Sequence, residues 1–263
     1  LITADQTVHE LNGVQGQREI EVEKGVVIKQ GGANLEYDSL VAPVQEVALA
    51  MNTLKIPRGG EFRLKLSDGT NVYLNSASEL KYPVRFDEKE RKVYLSGEAY
   101  FEVTKDSDRP FYVVTEEVQV RVYGTEFNVN AYDLQNIETV LVNGSIGFKA
   151  NISTPERMMA PNELAVSDSR TGLSEIHQVD IYPYIAWKNQ NIVFVNERLE
   201  SIMEKMARWY DVTVFFQDES LKDLRFDCNM RRYTDIRDLF FFLEKTSNAR
   251  FALNGRTVVI SKK

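Results

Sequence analysis

The chain has 263 residues, with 39 acidic and 32 basic side chains and a net charge of −7. This acidic balance argues against binding to nucleic acid or to an anionic membrane surface, because both attract clustered lysine and arginine. Cys228 is the only cysteine, which excludes an intramolecular disulfide and a cysteine-based zinc site. No stretch approaches the roughly 18 apolar residues of a membrane span, so we expect no membrane insertion of these residues.

The N-terminal part of the chain carries weak structural signals. Residues 1–18 are polar and unpatterned, which is typical of a flexible lead-in. Apolar and charged residues then alternate from Ile20 to Ile28 around a turn at 23–25, and this pattern predicts a small hairpin. The segment 44–51 fits either a strand or a turn of helix, and the sequence leaves that choice open.

A second hairpin is predicted from Phe62 to Leu74. Its turn is Ser-Asp-Gly at 67–69. A three-residue loop with Gly69 in a left-handed conformation sets Leu64 opposite Val72 and keeps the buried face apolar, whereas a two-residue loop would mix apolar with polar residues. We therefore interpret these three residues as turn chemistry rather than as a site.

The stretch 91–132 reads RKVYLSGEAYFEVTKDSDRPFYVVTEEVQVRVYGTEFNVNAY and alternates with period two. This alternation predicts several strands that share one sheet face. Gly97 and Gly124 interrupt it, as expected at a bulge, a corner or a close backbone approach, and Pro110 marks a strand start. A turn at 143–144 predicts a further hairpin. Short strands separated by turns predict a β-sandwich or jelly roll over the first two thirds of the chain.

The pattern changes near residue 188. Apolar residues with a period of 3.6 predict two helices. The first has Asn196 as its N-cap, and its apolar stripe is Leu199, Ile202, Met203, Met206 and Tyr210. The second begins after Thr234, and its stripe is Ile236, Leu239, Phe240 and Leu243. Strands flank both helices, so the order is β-α-β, β-α-β-β, an α+β arrangement. The predicted domains are 1–188 and 189–263.

Candidate chemistry is sparse. Glu98 and Glu102 lie about 13 Å apart along one strand at the usual rise per residue, too far for either class of glycosidase. The only histidines, His9 and His177, make a histidine-based metal site or catalytic triad improbable. No motif for a nucleophile or a phosphate-binding loop is present, so we predict no enzyme, no catalytic or metal residue and no cofactor.

Several aromatic residues are candidates for exposed binding positions. On a helical wheel Phe241 lies about 150° from the buried stripe of the second helix, with Phe242 on its flank. Trp187, Trp209 and Tyr210 fit either a sugar-stacking platform or packing at the junction of the two domains and on the edge of the first helix stripe. A carbohydrate-binding module would need tyrosines lined up in a groove, for which the candidates are Tyr100, Tyr112, Tyr123 and Tyr132. A glycan-processing enzyme would need two carboxylates close together in a pocket.

The sequence from about Asn52 to Lys263 resembles the FecR family of anti-sigma factors, particularly its Bacteroidetes branch. The resemblance rests on several motifs in order, which are PRGG from Pro57, LSDGTNVYLNSASELKYP from Leu66, RKVYLSGEAYFEV from Arg91, RPF from Arg109, GTEFNVNAY from Gly124, VNGS from Val142, APNELA from Ala160, and Trp187 with RWYDV from Arg208. One departure is Gln190, where that branch usually has glycine.

The resemblance implies a mainly β FecR domain followed by an α+β domain similar to the secretin and TonB short N-terminal domain. It implies a periplasmic sensor region of a transmembrane anti-sigma factor, anchored to the inner membrane by a span upstream of residue 1. The implied partners are the N-terminal signalling domain of a TonB-dependent outer-membrane receptor and, through a cytoplasmic segment absent from this chain, an extracytoplasmic-function sigma factor. The family motifs transfer no binding residue.

Contact residues are therefore predicted from the pattern of this sequence. The resemblance implies that the C-terminal domain meets the signalling domain of the receptor by adding strand to strand. The predicted contact residues are Phe241, Phe242 and, if their strand lies at a sheet edge, Arg225, Phe226, Asp227, Cys228, Asn229 and Met230.

Overall fold

The computed structural model describes residues 1–11, 17–23, 26–37, 50–151, 153–168, 171, 173–232 and 235–263. The predicted turn at 24–25, most of the undecided segment 44–51, and Thr234 lie outside these residues. The chain divides into two compact units, Leu1–Ile56 with Glu61–Ile181, and Pro57–Gly60 with Tyr182–Lys263. The domain limits 1–188 and 189–263 stay a prediction, because compactness and independent folding are different properties.

The first unit is built from strands. Within its described residues they are β1 Gln17–Glu23, β2 Val26–Gly31, β3 Asn34–Tyr37, β4 Met51–Lys55, β5 Phe62–Lys65, β6 Asn71–Leu74, β7 Glu79–Pro83, β8 Arg91–Glu102, β9 Phe111–Val114, β10 Gln119–Val122, β11 Glu126–Ala131, β12 Asn136–Asn143, β13 Ile146–Lys149, β14 Arg157–Met159, β15 Glu163–Asp168 and β16 Leu173–Gln178.

Two sheets share the long strand β8. One has the order β1-β2-β3-β5-β6-β8-β11-β12-β15-β16, and β4, β7, β9, β10, β13 and β14 form the other, where β7 and β9 flank β8. Apolar side chains from both sheets form one core, in which the rings of Phe101 and Phe127 stack 5.1 Å apart. The expectation of a single sheet face over residues 91–132 is therefore wrong, although its apolar positions are buried as predicted.

Gly97 marks the point where β8 passes from one sheet to the other. Its φ is +89°, and a Cβ added there would lie 2.8 Å from the Cα of Ser78. Gly124 is similar, with an added Cβ 2.8 Å from the Cα of Lys105. Both glycines are therefore required by close backbone approach, as their positions in the sequence predict.

One predicted hairpin is confirmed and another is wrong. In the β5–β6 hairpin, Phe62 lies opposite Leu74 and Leu64 opposite Val72, with Gly69 at φ +86°. The turn at 143–144 does not close a hairpin, because β12 pairs with β11 and β15, whereas β13 pairs with β10 and β14. The turn carries the chain from one sheet to the other, a connection that local turn chemistry cannot distinguish from a hairpin.

Residues 1–11 differ from the expected lead-in. The backbone N–H of Ile2 donates to the carbonyl of Thr53 at 2.8 Å, and the N–H of Thr53 donates back to Ile2. Leu1 and Thr3 are buried. This part of the chain is therefore held against β4 by backbone pairing, which its polar composition does not indicate.

The second unit has the predicted element order. It contains α1 Tyr182–Ile185, a 3₁₀ turn at Ala186–Asn189, β17 Asn191–Arg198, α2 Leu199–Tyr210, β18 Thr213–Phe216, a 3₁₀ turn at Glu219–Asp223, β19 Arg225–Arg231, α3 Ile236–Lys245, β20 Ala249–Asn254 and β21 Thr257–Lys262. β17 pairs with β19, and the other sheet has the order β18-β21-β20. The mainly β plus α+β fold class is confirmed, whereas the N-cap of α2 is Arg198 and not Asn196.

Candidate partner-binding surface

Helix α3 places its two exposed phenylalanines by burying the opposite face. Asp235 caps its start, because its side chain accepts a hydrogen bond from the N–H of Arg237 at 2.9 Å. The Arg237 guanidinium also lowers the pKa of Asp235 to about 2. The stripe of Ile236, Leu239, Phe240 and Leu243 is buried, and the ring of Phe240 stacks on Phe251 at 5.1 Å. Packing of this stripe fixes the rotation of the helix.

Phe241 and Phe242 face outward as the helical wheel predicts. They are 64% and 40% exposed. The ammonium of Lys245, one turn later, lies 5.3 Å from the centre of the Phe241 ring. An aromatic ring with a cation beside it at the surface is a typical feature of protein interfaces, since it combines apolar area with positive charge.

The strand β19 lies at a sheet edge, because among the described strands it pairs with β17 alone. Its residues alternate, so that Arg225, Asp227 and Asn229 are exposed, whereas Phe226 is 6% exposed. Cys228 and Met230 pack against the core, and burial raises the pKa of the Cys228 thiol. A partner could therefore reach Phe226 only through its backbone groups, whereas Cys228 and Met230 are half-buried and offer mainly their backbone.

Two of the exposed β19 side chains hold a bulge in β17. The register shifts between Phe194 and Glu197, and Asn196 adopts φ +48°. The carboxylate of Asp227 accepts a hydrogen bond from the N–H of Asn196 at 3.0 Å, and the guanidinium of Arg225 donates to the carbonyl of Asn196 at 2.6 Å. These two side chains are therefore structural as well as exposed.

The tryptophans of the second unit do not form a sugar-stacking platform. Trp187 is 5% exposed. The guanidinium of Arg232 lies 4.7 Å from the centre of the Trp209 ring, and the hydroxyl of Tyr210 donates to the Arg232 carbonyl. Trp209 and Tyr210 pack against the core of the second unit, in agreement with their predicted place on the edge of the helix stripe.

The PRGG motif packs on the end of α2 within the second unit. The N–H of Gly59 donates to the carbonyl of Arg208 at 2.8 Å, and Arg58 donates to the carbonyl of Val212 at 3.1 Å. Sequence reasoning missed this contact, because about 150 residues separate the two motifs. It explains the residue types at two positions of PRGG, because Arg58 donates from its side chain and Gly59 has φ +78°.

The carboxylate of Glu98 lies in a buried polar cluster beside Gly97. It accepts hydrogen bonds from the side-chain amides of Asn75 at 2.7 Å and Asn128 at 3.0 Å. The hydroxyl of Ser78 accepts from the N–H of Glu98 at 2.8 Å. These contacts fasten neighbouring strands at the corner of β8, which favours a structural role over a catalytic one.

A second buried cluster joins two family motifs. Arg91 and Asp68 form an ion pair at 2.8 Å with side chains that are 0% and 4% exposed. Arg91 also donates to the carbonyls of Thr104 and Arg109, at 2.8 and 3.0 Å. Asp68 thus anchors the turn at 67–69, in agreement with its interpretation as turn chemistry.

The candidate tyrosines do not line a groove. Tyr100 is 2% exposed, and Tyr132 donates its hydroxyl to the Ser76 carbonyl at 2.5 Å. Tyr112 and Tyr123 lie on the other sheet, where Lys92 and Arg121 lie 5.6 and 5.2 Å from their ring centres. This arrangement disfavours the carbohydrate-binding alternative.

The described residues contain neither a metal-binding cluster nor a helix suited to crossing a membrane. No group of three or more His, Cys, Asp or Glu side chains in that part of the chain is placed to hold a metal ion. None of the helices described is long and apolar enough to cross a membrane.

The two units differ in charge. The first unit has 17 basic and 28 acidic residues, a net charge of −11, whereas the second has 15 basic and 11 acidic residues, a net charge of +4. The positive charge of the second unit would thus attract a partner whose surface carries acidic rather than basic groups.

Comparison with known proteins agrees with the motifs. The model for the FecR protein family matches residues 52–147, and the model for the FecR C-terminal region matches residues 191–260. Two crystal structures of a candidate anti-sigma factor from Parabacteroides distasonis, at 1.65 and 2.50 Å resolution, each align with a TM-score of 0.73 and 22% identity over 81% of this chain and 99% of that one. No curated protein matches the chain. At this identity, the structural similarity supports the fold.

Proposed function

Since the chain belongs to the FecR family of anti-sigma factors, we propose that these residues are the periplasmic sensor region of such a protein. In this proposal the region contacts the N-terminal signalling domain of a TonB-dependent outer-membrane receptor. The occupied state of the receptor then reaches an extracytoplasmic-function sigma factor through the inner-membrane anchor and the cytoplasmic segment implied by the family. The region acts by protein contact and not as an enzyme.

The observation that carries the proposal is the outer face of α3. Phe241 and Phe242 present aromatic area to solvent on a helix whose other face is fully packed, so neither is needed for the core. Lys245 beside Phe241 and the net charge of +4 of the second unit favour an acidic partner surface. The neighbouring contact residues on β19 are Arg225, Asp227 and Asn229 through side chains, and Phe226, Cys228 and Met230 through backbone.

The experiment is a calorimetric titration of the whole chain with the signalling domain of the receptor encoded beside it. We expect saturable one-to-one binding. Phe241→Asp should weaken it at least tenfold, because a carboxylate replaces an aromatic ring at the centre of the contact and opposes an acidic partner. The thermal unfolding of the second unit should not change, since Phe241 is 64% exposed.

The matched control is Met158→Asp, which introduces the same charge at a methionine 60% exposed in the first unit. It should bind the signalling domain as the wild type does. Equal binding by both variants would place the interface elsewhere, and absence of binding by the wild type would contradict the proposed function itself.

A further inference from the structure

The strand β18 has one open edge. Within the described part of the chain it pairs with β21 alone, to which it runs parallel. The N–H of Thr213 donates to the backbone carbonyl of Arg256 at 2.7 Å, and the N–H of Gln217 donates to the backbone carbonyl of Ile260 at 2.8 Å. Because backbone groups alternate between the two sides of a strand, the N–H and C=O groups of Val214 and Phe216 point away from β21. They form a short template for another strand.

The other edges of the second unit carry features that discourage pairing with a second copy of the same strand. On β20 the side chain of Glu244 accepts a hydrogen bond from the N–H of Phe251 at 2.6 Å. β17 contains the bulge at Asn196, and β19 carries charged side chains at alternate positions. Bulges, charges and covered backbone groups are the devices by which proteins protect sheet edges.

β18 has none of these devices among its own residues, which read Thr-Val-Phe-Phe. The side chain of Phe215 is 58% exposed on the outer face of the sheet. In register with it lie Val259 on β21 and Ala252 on β20, so an apolar row crosses the sheet. An uncharged edge strand beside an exposed phenylalanine is the most pairing-prone edge described in the second unit.

We propose that β18 pairs with β18 of a second copy of this chain, antiparallel about a twofold axis at Phe215. The two residues with outward backbone groups, Val214 and Phe216, lie symmetrically about Phe215. An antiparallel pairing centred there sets Val214 of each copy opposite Phe216 of the other, as a hydrogen-bonded pair. The two Phe215 residues then face each other in a non-hydrogen-bonded pair, the arrangement in which side chains approach most closely.

A second copy suits this edge because it brings an uncharged strand and its own exposed Phe215, so that the two rings cover each other as an aromatic cross-strand pair. Both copies of the strand are uncharged, so no like charges meet at the axis. The paired segment is only four residues long. We therefore expect a weak, concentration-dependent dimer and not an obligate one. This association uses a different edge from the proposed receptor contact and does not depend on it.

The test is sedimentation equilibrium of the whole chain from about 10 µM to about 1 mM, the range of weak association. The wild type should show a monomer–dimer equilibrium. Phe215→Glu and Phe215→Lys should each weaken it about tenfold or more, because the twofold axis brings like charges together and removes an aromatic pair. An equimolar mixture of the two variants should restore the dimer to within about threefold of wild type, since opposite charges then meet.

The matched control is Phe241→Glu, which changes an equally exposed phenylalanine away from β18 and should leave the dimer intact. Circular dichroism of each variant checks the fold, which should persist because Phe215 is not in the core. A wild type that stays monomeric at the highest concentration overturns the proposal. So does a dimer that both Phe215 variants retain, or one that the mixture fails to restore.

Discussion

Replacing Gly97 with alanine should be among the most destabilising single-methyl changes in the first unit. A residue other than glycine at φ +89° costs about 1–2 kcal/mol in backbone strain. The new methyl would also lie 2.5 Å from Oγ and 2.8 Å from Cα of Ser78, so backbone must move. That movement strains the two hydrogen bonds between Ser78 and Glu98, each of which contributes about 1 kcal/mol. The expected loss is about 3–4 kcal/mol, a large part of a typical domain stability.

Gly32→Ala is the matched control for this change. Gly32 lies in the same unit at φ +58°, but an added Cβ there meets nothing within 4 Å. It should therefore lose only the strain of about 1–2 kcal/mol. The difference between the two variants isolates the close approach at Ser78.

Urea unfolding can follow each unit separately. Both tryptophans, Trp187 and Trp209, lie in the second unit, so their fluorescence reports on that unit alone. Eight of the twelve tyrosines lie in the first unit, so its transition is the larger part of the tyrosine signal that remains after the tryptophan-monitored transition is subtracted. Gly97→Ala should shift the tyrosine transition and leave the tryptophan transition in place. The reasoning would be refuted if Gly97→Ala and Gly32→Ala lowered the free energy of unfolding by the same amount, within the usual additivity error of about 0.5 kcal/mol.

Further predictions concern a turn, two ion pairs and an acidic side chain. Gln190→Gly should stabilise the second unit by about 1 kcal/mol in tryptophan-monitored unfolding, because Gln190 has φ +60°, whereas Gln190→Ala should give no gain. Arg91→Met should cost the first unit about 3–5 kcal/mol, since it leaves the Asp68 carboxylate buried without its cation. Arg121→Met, which removes a partly exposed pair, should cost about 1 kcal/mol or less in the same assay. Lys262 and Ser220 lower the pKa of Asp218 from 3.8 to about 2. The contribution of Asp218 to stability is therefore complete above pH 3.8 and is lost as the pH falls toward 2. Asp218→Asn should remove that part of the acid sensitivity, and an unchanged dependence of stability on pH would contradict the prediction.

Local patterns of the sequence predict much of the fold. The β5–β6 register follows from parity, since only a three-residue loop keeps Leu64 and Val72 on one face. The stripes of α2 and α3 follow from the helical period, and both are buried. The element order of the second unit follows from the same two periods.

Nonlocal connections could not be predicted in this way. The alternation in β8 is the same on both sides of Gly97, so the sequence does not reveal that its halves join different sheets. The parallel pairing of β8 with β9 and the docking of Arg58 at the end of α2 depend on residues far apart in the chain. Asn196 fits an N-cap by residue type, but the bulge in β17 places it two residues too early.

The candidate surface was predictable only in part. The helical wheel identifies Phe241 as exposed, because the buried stripe of the helix is known and Phe241 lies on the opposite side. It gives no information on Phe215, although alternation in β18 requires Phe215 and Phe216 to point to opposite faces. Which of the two is exposed depends on the side covered by the helices, and that is a tertiary property.

The buried polar clusters give two of the family motifs a structural role. Asp68 and Glu98 both lie in family motifs, but their carboxylates are engaged with Arg91 and with the amides of Asn75 and Asn128. Exchange of any one of these residues would leave a buried polar group unpaired, at a cost of about 1–3 kcal/mol. Outward-facing residues such as those on α3 carry no such constraint. A change of partner can therefore proceed at these outward positions while the buried clusters keep the frame unchanged.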